Sequence, residues 1–241
     1  MSREARIERK TNETDISLTL NLDGSGAGAR STGVGFLDHM LDLLARHGRL
    51  DLDVSVTGDL ETGAHHTVED TGLAFGQALD KALGDRSGIY RYGHAVVPMD
   101  ESRAEATLDI SGRPFLHFAA ELPAGLTGGF DHELAEEFFR AVSSSAKLTL
   151  HLDVPVGTNA HHIIEALFKA FARALRGAIA PPGTRWSPLA PRPAPLALRP
   201  ARARDVRPRR GVPGRAAADH HASGRGLALP ALRCLRARRA S

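Results

Sequence analysis

Alternating hydrophobic and polar residues mark four segments of the chain as strands that each bury one face. Residues 16–22 read ISLTLNL and residues 50–60 read LDLDVSVTGDL, and both alternate with a period of two. Residues 106–112, ATLDISG, and residues 147–154, KLTLHLDV, show the same alternation further along the chain. Because a period of two places successive side chains on opposite faces, the pattern predicts half-buried strands.

Helical periodicity follows these strands. Residues 36–47 carry apolar side chains on one helical stripe, and Gly48 is expected to end that helix. Similar patterns predict helices over residues 65–83, 132–145 and 159–176. Interleaved strands and helices of this kind predict an α+β fold in which helices pack on one face of each small sheet.

Two parts of the chain repeat one another. The motif His-His-x-x-Glu occurs at residues 65–69 and again at 161–165, an offset of 96 residues. Residues 20–24, LNLDG, resemble residues 108–112, LDISG, at an offset of 88. Duplication of a unit of about 90 residues explains both matches. We therefore predict a first half-repeat at residues 1–93, a second at 94–185 and a separate tail at 186–241.

Charge separates the tail from the rest of the chain. Residues 181–241 hold 14 arginines, no lysine and two aspartates, a net charge of +12 against +3 for the whole chain. They also hold 10 of the 14 prolines and lack any helical or strand period, which predicts disorder. A nucleic-acid-binding arm is disfavoured, because Trp186 is the only aromatic residue there. Since Arg, Pro, Ala and Gly have G/C-rich codons, the favoured interpretation is out-of-frame translation.

Other features of the sequence bear on its location. No run of eighteen apolar residues occurs, so we expect no membrane span. The first residues, MSREARIERKTNET, are charged and contain no apolar segment, which argues against a secretory signal. Cys234 is the only cysteine, so no intrachain disulfide can form. These features predict a cytoplasmic protein.

The repeated histidine motif has the chemistry of a metal site. On a helix, His161 and His162 both lie one turn before Glu165, yet they differ by about 100° in direction. One motif can therefore serve two ions. The alternative for a single motif is an ordinary helix start, capped by Asn159 or Thr158, with a solvated glutamate. The second copy favours the metal site, and imidazole and carboxylate ligands without thiolates favour Mn, Fe, Co or Zn over Ca or Mg.

A further histidine extends this set. His39 lies on the helix that precedes the first motif, 26 residues before His65. In the second half its equivalent is either Glu137, 24 residues before His161, or His132, 29 residues before it. We prefer Glu137 because its spacing is closer to that of His39.

Other charged residues suggest a substrate that carries an anion. Arg91 and Arg113 follow predicted elements, and together with Lys169 they would be able to grip an anionic group, although each taken singly is equally consistent with a surface charge. Glu13 precedes a strand and is a candidate general base. Glu101 lies in a predicted loop and is assigned no role.

Taken together, several segments resemble the imidazoleglycerol-phosphate dehydratase family. They are GFLDHMLDLLARHG, HHTVED, IYRYG, SGRP and NAHHIIEALFKAFARALR, and the resemblance covers residues 5 to 185. It implies a duplicated α+β fold, a 24-subunit homo-oligomer built from trimers, and active sites with two Mn ions formed between subunits. The implied reaction removes water from D-erythro-imidazole-glycerol phosphate to give imidazole-acetol phosphate in histidine biosynthesis.

The resemblance also implies roles for individual residues. Glu13 matches the family's essential glutamate and, with Glu165, is taken as catalytic; Arg91, Arg113 and Lys169 match its substrate-phosphate contacts. The implied metal ligands are His39, His65, His66, Glu69, Glu137, His161, His162 and Glu165.

Three positions depart from the family pattern. Family members often have histidine at the position of Glu137, and they commonly have glutamine at the position of Leu43, where it helps to hold phosphate. The family ends in a Pro-Ser-Ser/Thr-Lys-Gly segment, whereas this chain reads PPGTRWSPLAPRP. We therefore expect weakened phosphate binding and impaired activity in this polypeptide.

Two functions from other classes remain as alternatives. One is an assembly that holds metal ions without turnover, which would need neither the arginines nor Glu13. The other is the nucleic-acid arm, for which we expect no partner. The phosphatase domain of bifunctional relatives is not expected, because no Asp-x-Asp-x-Thr motif occurs.

Overall fold

The computed structural model describes residues 3–183, which form two four-stranded sheets and four α-helices. The α+β fold class predicted from the sequence is confirmed. The predicted disordered tail at 186–241 lies outside the described residues. Within residues 3–183, no helix is long and apolar enough to cross a membrane.

The first sheet and its helices come from the first 83 residues. Strand β2 buries Ile16, Leu18 and Leu20 and leaves the residues between them half-buried, as the alternation predicts. The sheet order is β1-β2-β4-β3, antiparallel except for the parallel β3–β4 pair. The elements are β1 (Glu4–Lys10), β2 (Thr14–Asn21), β3 (Arg30–Ser31), α1 (Gly35–Gly48), β4 (Asp51–Gly58) and α2 (His65–Leu83).

The second sheet has the same order of elements, β5-β6-β10-β7, and again only its last pair is parallel. A small hairpin of strands β8 and β9 is added before its first helix. This matched order is what an internal duplication would produce, and the half-repeat bounds 1–93 and 94–185 stay predictions. The elements are β5 (Tyr92–Met99), β6 (Ser102–Asp109), β7 (Phe115–Ala119), β8 (Leu126–Thr127), β9 (Phe130–Asp131), α3 (Leu134–Ala146), β10 (Thr149–Val156) and α4 (Ala160–Ile179).

The helices lie between the two sheets. Helix α2 packs on β1 and β2, and α4 packs on β5 and β6. Helix α2 also packs against α3, and α1 against α4, so one continuous hydrophobic core joins both halves. At the α2–α3 contact the backbones approach so closely that a Cβ at Gly72 would lie 2.7 Å from the carbonyl oxygen of Phe138. This packing brings α1 against the helix that carries the second histidine motif.

Helix α1 ends at Gly48 as expected, but the left-handed residue follows that glycine. Gly48 is the last helical residue, and Arg49 takes the left-handed conformation at φ 55°. Helix α3 ends in the same way at Lys147, with φ 54°. In both cases the backbone N–H of the capping residue donates to carbonyls of the last turn, which offsets the cost of that conformation.

Candidate metal centre and active site

One compact group of potential metal ligands forms where α1 crosses the start of α4. Glu165 Oε2 lies 3.1 Å from His161 Nε2 and 3.3 Å from His39 Nε2. Among the described residues, this is the only group of three or more such side chains whose ligand atoms all lie within 4.8 Å of one another. We call His39, His161, Glu165 and Lys169 the inner cluster.

The start of α4 is capped as well as being part of this cluster. The side-chain oxygen of Asn159 accepts from the backbone N–H of His161 at 2.9 Å and of His162 at 3.3 Å. Capping was the alternative to a metal site, but it required a solvated Glu165, and Glu165 is buried. The two interpretations are therefore compatible, because the backbone is capped while the side chains gather on the α1 side.

The carboxylate of Glu165 is held in its ionised form. The hydrogen bond from His39 and the ammonium of Lys169 lower its pKa to about 2, against the opposing effect of burial. Lys169 Nζ donates to Glu165 Oε1 at 2.5 Å and lies 3.4 Å from Met99 Sδ. An ionised carboxylate between two imidazoles suits a divalent transition metal.

His162 points away from the inner cluster. Its ring lies at 79° to that of His161, and the ring centroids are 6.1 Å apart. His162 Nδ1 lies 2.7 Å from Glu101 Oε2, while its Nε2 lies 3.6 Å from Asp100 Oδ2. The contact with Glu101 raises the pKa of His162 and lowers that of Glu101.

The first histidine motif is more open. We call His65, His66 and Glu69 the outer triplet. His65 Nε2 lies 3.5 Å from Glu69 Oε2, and the Glu69 side chain is 43% exposed where that of Glu165 is 9% exposed. His66 Nδ1 lies 2.9 Å from Asp59 Oδ2, which raises the pKa of His66. The two rings stand at 88° to each other, so these side chains also face different directions.

The two candidate ligands, Glu137 on α3 and His132 just before that helix, have different surroundings. Both ring nitrogens of His132 have local partners, Nδ1 with the Pro123 carbonyl at 2.7 Å and Nε2 with Thr127 Oγ1 at 2.9 Å. Glu137 contacts Arg140 at 3.8 Å and lies beside Phe138, which packs against α2. A free donor atom is therefore found on Glu137 and not on His132, and the assignment of Glu137 as a ligand stays a prediction.

Glu13 lies near the outer triplet. It occupies the turn between β1 and β2, where its carbonyl accepts the backbone N–H of Asp59 at 3.1 Å. Its side chain is exposed, and its charge contributes to the raised pKa of His66. An exposed carboxylate thus stands beside the outer triplet.

The three predicted phosphate contacts are not brought together. Arg91 donates to both carboxylate oxygens of Asp109 at 2.6 and 3.0 Å, and Arg113 lies 3.9 Å from the same carboxylate. The backbone N–H of Arg91 donates to Ala178 at the end of α4. Ala178 follows Glu165 by 13 residues, which is about 20 Å along a helix. Within one chain the arginines and the inner cluster therefore lie at opposite ends of α4.

The chain that carries this site is similar in sequence to known proteins. The imidazoleglycerol-phosphate dehydratase family model matches residues 32–175. An imidazoleglycerol-phosphate dehydratase from Symbiobacterium thermophilum is 60% identical over 178 residues, which are 74% of this chain and 86% of that protein. Another from Acetivibrio thermocellus is 57% identical over 175 residues, 73% of this chain and 90% of that protein.

The chain belongs to the imidazoleglycerol-phosphate dehydratase family. A crystal structure of imidazoleglycerol-phosphate dehydratase from Staphylococcus aureus agrees in fold, with a TM-score of 0.68 and 43% identity. That alignment covers 74% of this chain and 99% of the other. The enzyme class predicted from the sequence, a hydro-lyase of histidine biosynthesis, is confirmed at the level of the family.

Two carboxylates at the histidine motifs of this family member were missed by sequence reasoning. Asp59 and Glu101 contact His66 and His162 across 7 and 61 residues of sequence. Asp59 lies before helix α2 and Glu101 lies in a turn far from helix α4, so the spacing within the motif helices did not point to them. By contrast Leu43, where the family commonly has glutamine, is buried in the core and offers no polar atom to a phosphate.

Proposed function

We propose that this chain removes water from D-erythro-imidazole-glycerol phosphate, giving imidazole-acetol phosphate, in sites that each hold two Mn ions. We further propose that it acts in the cytoplasm as a homo-oligomer, a 24-mer built from trimers. The observation that supports this proposal best is the inner cluster, in which two imidazoles from different helices converge on one buried carboxylate.

The donor atoms fit a metal of this kind. Imidazole nitrogen and carboxylate oxygen without thiolate are ligands that Mn accepts, together with Fe, Co and Zn. His39, His161 and Glu165 would hold one side of the site, and the outer triplet and His162 would supply further donors. A bound divalent metal supplies Lewis-acid polarisation of the substrate's imidazole ring, which compensates for the weak acidity of the carbon-bound hydrogen.

The chain's own residues divide the remaining work. Glu13, exposed at the β1–β2 turn, takes the proton from the second carbon from the imidazole ring. The hydroxyl on the ring-attached carbon is lost with that proton as one water, which leaves the enol of imidazole-acetol phosphate. Arg91 and Arg113 bind the phosphate, and Asp109 fixes the orientation of the Arg91 guanidinium. Lys169 is the phosphate contact within the inner cluster.

The arrangement of these residues supports a site shared between copies of the chain. Arg91 and the inner cluster lie at opposite ends of α4, so one substrate contacts both only when two chains contribute. The outer triplet is also open to solvent on its ligand side, with His65 54% exposed. A second copy that supplies the inner cluster to the outer triplet would complete the ligand set.

The test is turnover of the purified full chain with added Mn. Formation of imidazole-acetol phosphate is followed for the parent chain and for His161→Ala, with His94→Ala, an exposed strand histidine, as the matched control. A version in which a Pro-Ser-Thr-Lys-Gly ending replaces residues 187–241 is assayed beside them. We expect Mn-dependent activity that His161→Ala abolishes and His94→Ala retains.

Other outcomes would contradict the proposal in distinct ways. Full activity in His161→Ala would exclude the inner cluster from catalysis. Stoichiometric Mn binding without turnover, in both the full chain and the version with the replaced ending, would favour the metal-holding assembly.

A further inference from the structure

The second histidine of each motif contacts a carboxylate from outside the motif through its Nδ1 atom. His66 Nδ1 lies 2.9 Å from Asp59 Oδ2 and 3.2 Å from Oδ1. His162 Nδ1 lies 2.7 Å from Glu101 Oε2. The first histidine of each motif instead turns its Nε2 toward the glutamate of its own motif. The two motifs thus share one arrangement although they lie in different halves of the chain.

The two carboxylates do not occupy equivalent positions. At the offset of 96 residues that relates the motifs, Asp59 corresponds to Pro155, which has no carboxylate. At the offset of 88 that relates the preceding strands, Glu101 corresponds to Glu13. The turns agree with this second correspondence, because Thr11 and Thr14 pair across one turn as Met99 and Ser102 pair across the other.

The glutamate in the turn between the first two strands therefore has different contacts in the two halves. In the second half, with proline in place of Asp59, the turn glutamate Glu101 holds the histidine. In the first half Asp59 holds His66, and the turn glutamate Glu13 remains exposed. The same contact is therefore made in both halves by carboxylates from different elements, which indicates that the contact itself matters.

We propose that Asp59 and Glu101 are positioning residues that fix the rings of His66 and His162 with Nε2 directed outward as a metal donor. A carboxylate that accepts the Nδ1–H selects the tautomer in which the Nε2 lone pair is free. It also restrains rotation of the ring about its side-chain bonds. This inference rests on the proposed function, because it concerns metal ligation by those two histidines.

Both carboxylates are themselves held in place. Glu101 accepts the backbone N–H groups of Asn159 at 2.9 Å and Thr158 at 3.4 Å, and the hydroxyl of Ser102 at 3.0 Å. Asp59 Oδ2 accepts the hydroxyl of Thr62 at 3.0 Å. A carboxylate held by these hydrogen bonds does not move with the imidazole, and it therefore keeps the ring in one position.

The experiment replaces each carboxylate by its neutral isostere, in Asp59→Asn and Glu101→Gln, within the full chain. Asp15→Asn and Glu105→Gln are matched controls, since both carboxylates lie on strands and form ion pairs with Lys10 and Arg103 respectively. Free Mn is measured by electron paramagnetic resonance during titration of each metal-free protein. Turnover at increasing Mn and the thermal midpoint without metal are measured beside it.

We expect both variants to bind Mn about 10- to 100-fold more weakly than the parent. Excess Mn should restore most of their turnover, and their metal-free thermal midpoints should stay close to the parent's. A residue with only a structural role would lower the thermal midpoint, and excess Mn would not restore the turnover. The controls should match the parent throughout.

Three results would overturn the inference. They are Mn affinity within twofold of the parent in both variants, a loss of turnover that excess Mn does not restore, and weakened binding in only one of the two. If the parent itself binds no Mn, the proposed function fails together with the inference. If the parent binds Mn and turns over while the variants bind it equally well, the inference alone fails.

Discussion

The inner cluster and the outer triplet contain the same sequence motif in two different environments. The Glu165 side chain is 9% exposed and contacts two histidines and a lysine. The Glu69 side chain is 43% exposed, and its ion-pair contact within residues 3–183 is with His65. A repeated motif therefore does not by itself make two equal sites. The residues that pack around each copy decide what it can hold.

Two replacements account for the difference. At the offset of 96 residues, Lys169 corresponds to Leu73, so Glu69 has no cation one turn along its own helix. On the neighbouring helix, His39 corresponds to Glu137, whose described contact is Arg140. The outer triplet therefore lacks both the imidazole and the ammonium that gather around Glu165.

The largest expected effect is that of Glu165→Gln, compared with Glu69→Gln. Loss of the inner carboxylate should lower turnover by more than about a hundredfold, because it removes a proposed ligand and not only a neighbour of one. In the metal-free protein it should also lower the free energy of unfolding by about 1–3 kcal/mol, since Lys169 loses its partner. Glu69→Gln should change that stability by less than about 0.5 kcal/mol. Equal destabilisation of both variants in denaturant titrations would remove the distinction between the two environments.

Arg91→Gln tests whether the two ends of α4 serve different sites. Loss of a charge-assisted contact should raise KM for the phosphate substrate by about 10- to 100-fold with a smaller change in kcat. Co-expression of Arg91→Gln with Glu165→Gln should restore part of the activity that each lacks alone, because a mixed assembly contains some sites with neither change. Steady-state kinetics of the mixed and separate proteins measure this, and an inactive mixture that has assembled would contradict a shared site.

Gly72→Ala examines the helix contact behind the outer triplet. An added Cβ would lie 2.7 Å from the carbonyl oxygen of Phe138 and 2.9 Å from the Cβ of Ala141. We expect a loss of about 1–3 kcal/mol in the free energy of unfolding, because neither backbone can move without disturbing the core. Gly35→Ala is the control, since a Cβ there meets nothing within 4 Å. If denaturant titrations give the same free energy of unfolding for both variants, the α2–α3 contact relaxes more easily than the structure indicates.

The smallest effect concerns His47, which lies on α1 beyond the inner cluster. Burial is the main cause that lowers its pKa from 6.5 to about 4, with smaller contributions from Lys169, Arg173 and Arg46 against that of Glu165. The unfolded chain therefore binds a proton between these two pKa values that the folded chain does not, so stability falls as the pH is lowered through this window.

His47→Gln should reduce that dependence. Thermal midpoints of the metal-free parent and variant are compared between pH 7 and about 4, which brackets the two pKa values. The difference between the proteins should change with pH mainly below 6.5. Parallel curves over the whole range would mean that His47 titrates alike in the folded and unfolded chains.

Sequence patterns predicted the strands that bury a full apolar face and missed those at the sheet edges. Strands β2, β4, β6 and β10 alternate clearly and were predicted. Strand β1 reads EARIERK and buries only Ala5, so its alternation is obscured by charges. Strand β5 contains Pro98, and β7 has five residues with no fully buried side chain. An edge strand shares its sheet with one neighbour and shows a weaker pattern for that reason.

In the candidate site, too, some residues were proposed from sequence patterns and some contacts were not. The histidine motifs and His39 were proposed as ligands from residue type and spacing, and Glu13 as a base from its place before a strand and from the family resemblance; all of these roles stay predictions. The ion pair of Lys169 with Glu165 was not, since Lys169 was assigned to phosphate alone, although the two lie one helical turn apart. The contacts of Asp59 and Glu101 depend on where loops place them, which periodicity does not describe.

The sequence alone determined the α+β class, the repeated motif and the family, because these depend on local periodicity and on residue identities at fixed spacing. Only the tertiary structure decided which glutamate is buried and which imidazoles reach it. His39 and Glu165 are 126 residues apart and meet because α1 packs across α4. Such a contact results from the fit of whole helix surfaces in the core, and no local stretch of sequence contains it.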